Sequence, residues 1–354
     1  MRLEDLGWND TFDQQFEPHR TNSLEPARVI EEQRGQYTVL SATAESPAVL
    51  SGRLRNAALT REELPAVGDW VALRPHGDGQ LAVIDAVLPR RSAFTRRAAG
   101  NVSEAQVVAA NVDFVLLVSG LDGDFNPRRI ERYVTLAWES GATPVVILNK
   151  SDLCPDVPSR ISEVESVAPG VDTIAVSAVS GEGLDALRAL MKPGRTLALL
   201  GSSGVGKSTL VNALLGQGRQ RTSAVREDDS RGRHTTTHRE LILAPGGGMV
   251  IDTPGMRELQ LLADEDSLDR AFDDVAQLAA ACKFRDCTHE SEPGCAVRAA
   301  VDDGRLAPDR WESFLKLRRE LNYLARKQDR HLQAQEQAKW KRISKDIRRL
   351  YKDR

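Results

Sequence analysis

The sequence predicts a multidomain α/β protein, in which a small β-barrel precedes a parallel α/β sheet and a helical C-terminal region. Its 354 residues correspond to two or three domains at about 150 residues each. Short strand-forming runs separated by turns occupy residues 35–97, a pattern typical of an OB-type β-barrel. After Gly100, apolar strands alternate with helical segments, which indicates a parallel sheet with crossover connections. The predicted domains are therefore 1–34, 35–97, 98–262 and 263–354.

Composition places the chain among ordinary globular proteins. Apolar residues make up 41% and charged residues 28% of the sequence, which argues against a largely disordered or fibrous chain. No stretch approaches the roughly 18 apolar residues that a membrane span needs. The N-terminus also lacks the basic and then apolar segments of a signal peptide. We therefore expect a cytoplasmic protein without a membrane partner.

Charge is distributed unevenly along the chain. Residues 311–354 contain 14 Lys and Arg against 6 Asp and Glu, although the formal net charge of the whole chain is −3. A basic arm on an acidic body is typical of proteins that contact nucleic acids. A solvated basic helix explains the same charge, so both interpretations stay open.

The N-terminal hundred residues divide into a leader and the barrel. Residues 1–34 mix Pro, Asn, Gln and charges with little periodicity, so we expect an extended or weakly ordered leader. The predicted barrel strands are 37–40, 48–50, 69–73 and 81–84. OB-type barrels often bind RNA, but Tyr37, Trp70 and Phe94 are too few to indicate a stacking surface. The barrel therefore serves either RNA binding or packing alone.

The α/β region contains regular strands and helices. Predicted strands are 112–118, 144–148, 174–176 and 196–200, with helices at 127–139, 184–191 and 208–215. Two further strands, 240–244 and 249–252, flank a Pro-Gly-Gly-Gly turn. A helix at 268–281 and a long basic helix from about residue 309 complete the prediction.

A phosphate-binding loop lies between a strand and a helix. The match to G-x-x-x-x-G-K-[ST] consists of Gly201, Ser202, Ser203, Gly204, Val205, Gly206, Lys207 and Ser208. Glycines let backbone N–H groups surround phosphate oxygens, and the following helix presents its positive end. Lys207 is expected to reach the β- and γ-phosphates, and Ser208 to ligate Mg²⁺.

Three shorter motifs indicate that the nucleotide is GTP. Asn149, Lys150, Ser151 and Asp152 form N-K-x-D after a strand; its Asp accepts two hydrogen bonds that guanine offers and adenine does not. Ser177 and Ala178 match the S-A element that supports the base. The D-x-x-G motif consists of Asp252, whose carboxylate binds Mg²⁺ through water, two intervening residues and Gly255. ATP is the less favoured alternative.

The order of these motifs predicts a circularly permuted P-loop GTPase domain over 98–262. In most GTPases the phosphate loop precedes the other motifs, whereas here N-K-S-D and S-A precede it. Permutation is tolerated because sheet order depends on which strands pair in space. The chain that leaves D-x-x-G passes directly into the C-terminal region, so a movement of the motif can act on that region.

The polar segment 216–240 is the expected first switch loop. It contains Gly-Arg-His-Thr-Thr-Thr at 232–237, and sequence alone does not select which threonine closes on Mg²⁺. Met256 follows D-x-x-G where many GTPases place a water-orienting glutamine. His234 is the nearest candidate for that role, and a surface histidine is the alternative.

Cysteines cluster near the C-terminus. Cys282, Cys287, His289 and Cys295 supply three sulfurs and one imidazole within 14 residues. Such a set closes a tetrahedral Zn²⁺ site of a structural kind, with no position left for substrate water. Reduced thiols in a small helical domain are the alternative, but they leave the clustering unexplained.

Together these motifs resemble the bacterial small-subunit-dependent GTPases, the RsgA (YjeQ) family, over about residues 35–300. The resemblance implies a GTPase that hydrolyses GTP to GDP and phosphate, binds the 30S ribosomal subunit and its 16S rRNA late in assembly, is stimulated by it, and is released on hydrolysis. The GTP site would comprise residues 149–152 and Gly201 to Thr209. Thr236 would join Ser208 on Mg²⁺, His234 would be the catalytic candidate, and the four C-terminal residues would hold one Zn²⁺.

Further expectations come with this resemblance. Lys207 and Mg²⁺ would stabilise the charge that develops on the transferred phosphate, and Met256 predicts slow hydrolysis without the partner. We expect a monomer. Two other functions stay open: an RNA-binding module with GTP as a structural ligand, and a GTP-driven switch for a protein or membrane partner.

Overall fold

A computed structural model describes residues 2–20, 23–33, 35–75, 81–97, 105–216, 239–252, 268, 271–284, 287–289 and 292–319. The chain forms two compact units. The first contains residues 1–98 and 104–260, and the second contains residues 99–103 and 261–354.

The N-terminal segment differs from the extended or weakly ordered leader expected over 1–34. A 3-10 turn at Leu3–Leu6 precedes α1 (Asp10–Arg20), and Glu25–Gln33 is already strand β1. Aromatic residues spaced by four give α1 one apolar face. Phe12 and Phe16 are buried; Phe12 stacks on Trp8, and Phe16 packs edge-on against it. Trp8 in turn packs edge-on against Trp70, with ring centroids 4.8 Å apart. The segment is ordered because it completes an aromatic core.

The predicted barrel is confirmed. Its other strands are β2 (Gln36–Ser41), β3 (Glu45–Leu50), β4 (Trp70–Arg74) and β5 (Ala82–Val87), with the short helix α2 (Gly52–Ala57) after β3. The strands pair in the order β1-β2-β3-β5-β4, and β4 pairs back to β1 and closes the barrel. Tyr37 and Trp70 are buried, with 5% and 0% of their surfaces exposed, so neither is available for base stacking.

A hairpin that the sequence analysis did not predict connects the barrel to the α/β sheet. Its strands are β6 (Ala93–Arg97) and β7 (Ala105–Ala110), which pair antiparallel.

The α/β prediction is confirmed by six strands in the order β10-β9-β8-β11-β13-β12. All neighbours are parallel except β12 and β13, which form the predicted hairpin. The strands are β8 (Phe114–Gly120), β9 (Thr143–Asn149), β10 (Thr173–Ala175), β11 (Thr196–Leu200), β12 (Arg239–Leu243) and β13 (Met249–Asp252), and the helices are α3 (Pro127–Ser140), α4 (Val157–Val167), α5 (Leu184–Leu190) and α6 (Lys207–Leu215). Strands β8, β9 and β10 form one half of this sheet, and β11, β13 and β12 form the other half. Strand β11 therefore lies at the centre of the sheet, next to β8.

The barrel and the α/β sheet are joined by strand pairing. The end of β1 pairs antiparallel with the start of β12. Arg239 also forms a partly buried ion pair with Glu32, at 2.8 Å. A fully buried arginine, Arg28, donates hydrogen bonds to the Leu6 and Asn111 carbonyl oxygens and, at 2.8 Å, to the Thr196 hydroxyl. Residues far apart in sequence therefore hold the N-terminal segment, the barrel and the sheet together.

The second unit is helical, as predicted. It contains α7 (Asp273–Ala280), α8 (Ala296–Asp302) and a helical run over 308–319. Its core includes the edge-on pair Phe272 and Phe314, and buried Arg310 pairs with Asp274. The remainder of the predicted basic helix lies outside the described residues. Within the described part of the chain, no helix has the length and apolar character of a membrane span.

Candidate nucleotide site and metal group

The nucleotide-binding motifs meet at one edge of the α/β sheet. Strands β8, β9, β10, β11 and β13 run parallel, so their carboxyl ends share that edge. N-K-S-D begins at the last residue of β9, S-A follows β10, the phosphate loop follows β11, and Asp252 ends β13. Crevices at this edge of open α/β sheets are where ligands bind. The order of the strands in the sheet therefore brings together motifs whose order along the chain is permuted.

The phosphate loop has the conformation that its glycines permit. Gly206 has φ +94°, and a side chain there would collide with the Asn149 amide nitrogen. Lys207 begins α6, and its Nζ donates hydrogen bonds to the carbonyl oxygens of Gly201 and Ser202, at 2.7 and 2.6 Å. Ser203, Gly204 and Ser208 are exposed, whereas Thr209 is half-buried. The loop therefore presents its face to solvent at the positive end of a helix.

Asn149 connects three of the motifs. Its side chain is 2% exposed. The amide nitrogen donates to the Val205 carbonyl oxygen at 2.8 Å, and the amide oxygen accepts from the Ala178 backbone N–H at 3.1 Å. Through these two hydrogen bonds, the asparagine of N-K-S-D links the phosphate loop to the S-A element.

Other residues predicted to recognise guanine lie in the N-K-S-D and S-A motifs. Lys150 is in the left-handed region, with φ +65°, and its ammonium pairs with Asp122. That hydrogen bond lowers the pKa of Asp122. Asp152 is exposed at the turn Ser151–Leu153, where its carboxylate is accessible to a base. Ser177 is buried, and its hydroxyl accepts from the Ser180 backbone N–H at 3.1 Å.

Two site residues escaped the sequence analysis. Asp122 and Asp124 follow β8, and the Ser202 hydroxyl donates to Asp124 Oδ2 at 2.6 Å. The signal that predicts them is two acidic residues placed directly after a buried parallel strand, where the carboxyl edge gathers functional groups. Four predicted positions, His234, Thr236, Gly255 and Met256, lie outside the described residues.

The second unit brings its four predicted metal ligands together. One donor atom from each of Cys282, Cys287, His289 and Cys295 lies within 4.8 Å of the others. His289 Nδ1 is 3.5 Å from Cys282 Sγ and 3.4 Å from Cys295 Sγ, and these two sulfurs are 4.0 Å apart. Zinc–sulfur bonds of about 2.3 Å in a tetrahedron give sulfur separations of about 3.8 Å. The group therefore has the donors and the spacing that Zn²⁺ requires.

The surroundings favour the ligating form of the histidine. Burial, more than the Arg318 charge, lowers the pKa of His289, and a neutral imidazole is the form that binds metal. The ring packs edge-on against Trp311, with centroids 5.9 Å apart. Cys295 is buried and caps α8 by accepting from the Arg298 backbone N–H.

Comparison with known proteins gives consistent sequence matches. The family model described as RsgA GTPase matches residues 87–262. The small ribosomal subunit biogenesis GTPase RsgA of Opitutus terrae is 53% identical over 352 residues, covering 97% of this chain and 96% of that protein. The small ribosomal subunit biogenesis GTPase RsgA 1 of Oceanobacillus iheyensis is 48% identical over 319 residues, covering 90% and 91%.

Solved structures have the same fold. The crystal structure of YjeQ from Thermotoga maritima matches with a TM-score of 0.65 at 29% identity, covering 84% of this chain and 98% of that chain. YloQ, described as a circularly permuted GTPase, matches with a TM-score of 0.62 at 24% identity, covering 84% and 95%. The prediction of a barrel followed by a circularly permuted GTPase domain is confirmed.

Proposed function

The chain belongs to the RsgA GTPase family, and from this membership we propose that it hydrolyses GTP to GDP and phosphate during biogenesis of the small ribosomal subunit. The observation that carries the proposal is the junction at Asn149. One buried side chain joins a phosphate loop to a guanine-recognition motif, an arrangement suited to a guanine nucleotide.

In this proposal the residues of the predicted motifs bind and orient GTP. Asp152 and the S-A element receive the base, and residues 201–209 surround the phosphates. Ser208, Thr236 and Asp252, the last through water, would hold Mg²⁺, which supplies positive charge to the transferred phosphate. Lys207 adds a second positive charge at the same place. Catalysis would thus depend on positioning and electrostatics.

Water attack needs a further group. His234 is our candidate for orienting the water, because Met256 occupies the position where many GTPases have glutamine. The methionine thioether is only a weak hydrogen-bond acceptor and offers no donor, so it positions water poorly and hydrolysis by the free protein would be slow. Contact with the ribosomal subunit would then stimulate turnover by placing the histidine.

We propose that the four-residue metal group holds one structural Zn²⁺. All four ligands come from the protein, so zinc would supply stability to the second unit and no chemistry. This role is supported by the spacing of the donors and by the neutral state favoured for His289.

The partner we propose is the 30S subunit, contacted through its 16S rRNA late in assembly and released when GTP is hydrolysed. Support comes from the names of the relatives and from the excess of basic residues over 311–354. A monomer acting in the cytoplasm would suffice for this role.

GTP turnover with and without 30S subunits tests the proposal, with 50S subunits and ATP as controls. We expect stimulation by 30S subunits only, and no hydrolysis of ATP. Tight GTP binding without stimulated turnover would favour an RNA-binding module that keeps GTP as a structural ligand. Subunit binding that is insensitive to salt would argue against RNA contact and favour a switch for a protein or membrane partner.

A further inference from the structure

The loop between β8 and α3, residues 121–126, contacts two of the nucleotide-binding motifs, N-K-S-D and the phosphate loop. It packs closely on the end of β8, because a side chain at Gly120 would meet the Asp122 carboxylate. Asp122 pairs with Lys150 of N-K-S-D, and Asp124 accepts the hydrogen bond from Ser202 of the phosphate loop at 2.6 Å. Two carboxylates in one loop thus each hold a residue of a different motif.

Asp124 is itself fixed by α3. Arg129, in the first turn of that helix, forms an ion pair with Asp124 Oδ2 at 2.9 Å and also donates to the Asp124 carbonyl oxygen. Asn126 caps the helix by accepting from the Arg129 backbone N–H at 3.1 Å. The carboxylate that Ser202 contacts therefore has a position set by a regular element.

Ser202 transmits this position into the phosphate loop. Its hydroxyl donates to Asp124, while its carbonyl oxygen accepts from Lys207 Nζ at 2.6 Å. One residue thus connects Lys207, the lysine expected to reach the phosphates, to the loop after β8. If the hydroxyl loses its acceptor, the Ser202 peptide is freer to rotate, and the oxygen that holds Lys207 rotates with it.

We propose that Asp124 is a positioning residue that holds the phosphate loop in its nucleotide-binding conformation through the Ser202 hydroxyl. This inference rests on the proposed function, since it concerns the affinity of the same site for GTP and GDP. A hydrogen bond to a carboxylate is stronger than one between neutral groups. The Arg129 guanidinium balances the negative charge, which limits repulsion between Asp124 and the phosphates.

The test measures binding and release of fluorescent methylanthraniloyl-GDP and -GTP by the full-length chain, together with its melting temperature without nucleotide. The variants are Asp124→Ala, Ser202→Ala, the double variant and Asp124→Asn. Asp185→Ala is the matched control, because it removes an exposed Asp–Arg pair on α5. A steady-state assay gives kcat and KM for each variant.

We expect each alanine variant to weaken both nucleotides about tenfold, the loss typical of one hydrogen bond to a charged group. The double variant should bind no more weakly than either single variant, because both changes remove the same interaction. Asp124→Asn should stay within about threefold of wild type, because its amide oxygen still accepts from Ser202. KM should rise by a larger factor than kcat falls, and the control should bind like wild type.

Four results would overturn the role of Asp124: wild-type affinity in Ser202→Ala, additive losses in the double variant, an asparagine variant as weak as the alanine variant, or a fall in kcat with KM unchanged. If Asp124→Ala does not fold, Ser202→Ala and Asp124→Asn still decide the question. A wild-type chain that binds no guanine nucleotide would overturn the proposed function, and this inference with it. Tight wild-type binding with unchanged variants would overturn the inference alone.

Discussion

Replacing Asn149 with alanine is expected to loosen three nucleotide-binding segments at once. The Asn149 side chain is 2% exposed and supplies one hydrogen bond to Val205 and one to Ala178. Alanine offers neither a donor nor an acceptor. The Val205 carbonyl and the Ala178 N–H would each lose this partner at a buried or half-buried position.

The size of the effect depends on these two groups. Leaving a buried donor or acceptor unsatisfied costs about 1–3 kcal/mol, so the two groups together cost about 2–6 kcal/mol. Part of this loss lowers the free energy of unfolding of the free protein. The rest lowers the free energy of nucleotide binding, because the loosened loop must be ordered around the nucleotide. Since 1.4 kcal/mol is tenfold in an equilibrium constant, we expect GDP affinity to fall at least about tenfold.

Two measurements separate these contributions: calorimetric titration with GDP, and urea unfolding without nucleotide. Asn9→Ala is the matched control, because Asn9 also makes two hydrogen bonds, accepting from the backbone N–H groups of Thr11 and Phe12 at a cap far from the motifs in sequence. The control should lose about 1 kcal/mol of stability and keep its GDP affinity. An Asn149→Ala variant that binds GDP within about threefold of wild type and unfolds at the same urea concentration would refute the role assigned to the two buried hydrogen bonds.

Three further substitutions or treatments test other parts of the molecule. Asp152→Asn should lower GTP affinity at least about a hundredfold and raise affinity for xanthosine triphosphate, because the amide replaces one acceptor by a donor; competition binding with both nucleotides measures this. Chelation of zinc, or Cys287→Ser, should reduce the helical circular dichroism of the second unit and its zinc content, because metal binding contributes to folding. Arg28→Met should cost about 3 kcal/mol in urea unfolding, because it removes donors from buried carbonyl oxygens while also relieving the burial that lowers the pKa of Arg28 to about 10.

Controls for these three changes come from the same chain. Asp185→Asn is exposed on α5 and should keep wild-type preference for GTP; unchanged nucleotide preference in Asp152→Asn would contradict the assignment of the base site. Cys154→Ser should keep the zinc content, and a fully helical second unit without zinc would rule out a structural metal. Arg188→Met, at a surface pair, should change stability by less than about 0.5 kcal/mol, and an equally small effect in Arg28→Met would argue against its bridging role.

The sheet and its site were predictable because their signals are local. Continuous apolar runs mark strands buried on both faces, and β11 and β13 begin and end where the sequence predicts. The phosphate loop is a contiguous motif between two such elements. The order of motifs along the chain then sufficed to predict a permutation, which the strand order confirms.

The parts that escaped prediction depend on contacts between distant residues. β1 contains Glu31 and Glu32 next to a buried run, so its pattern shows neither alternation nor continuous apolarity. α1 is short and contains Pro18, and only the packing of its aromatic face near Trp70 makes it part of a core. Asp124 belongs to none of the sequence motifs, and its contact with Ser202 joins residues 78 positions apart, so no local pattern indicates it.

Because of the permutation, the strands on either side of the β12–β13 turn connect the nucleotide site to other domains. Strand β12 pairs with the barrel, and β13 is followed by the chain that leads to the second unit. Strand β12 immediately follows the segment that contains His234 and Thr236, and its first residue, Arg239, pairs with Glu32 of the barrel. Strand β13 ends at Asp252, and the chain continues from there into the second unit. In an unpermuted order, the chain leaving D-x-x-G would first have to return through the strands that carry N-K-x-D and S-A. In this chain, the segment with His234 and Thr236 leads directly into β12, which pairs with β1 of the barrel. The D-x-x-G motif leads directly into the second unit. A change of nucleotide state is therefore expected to reach the barrel through the pairing of β12 with β1, and the second unit through the chain that leaves β13.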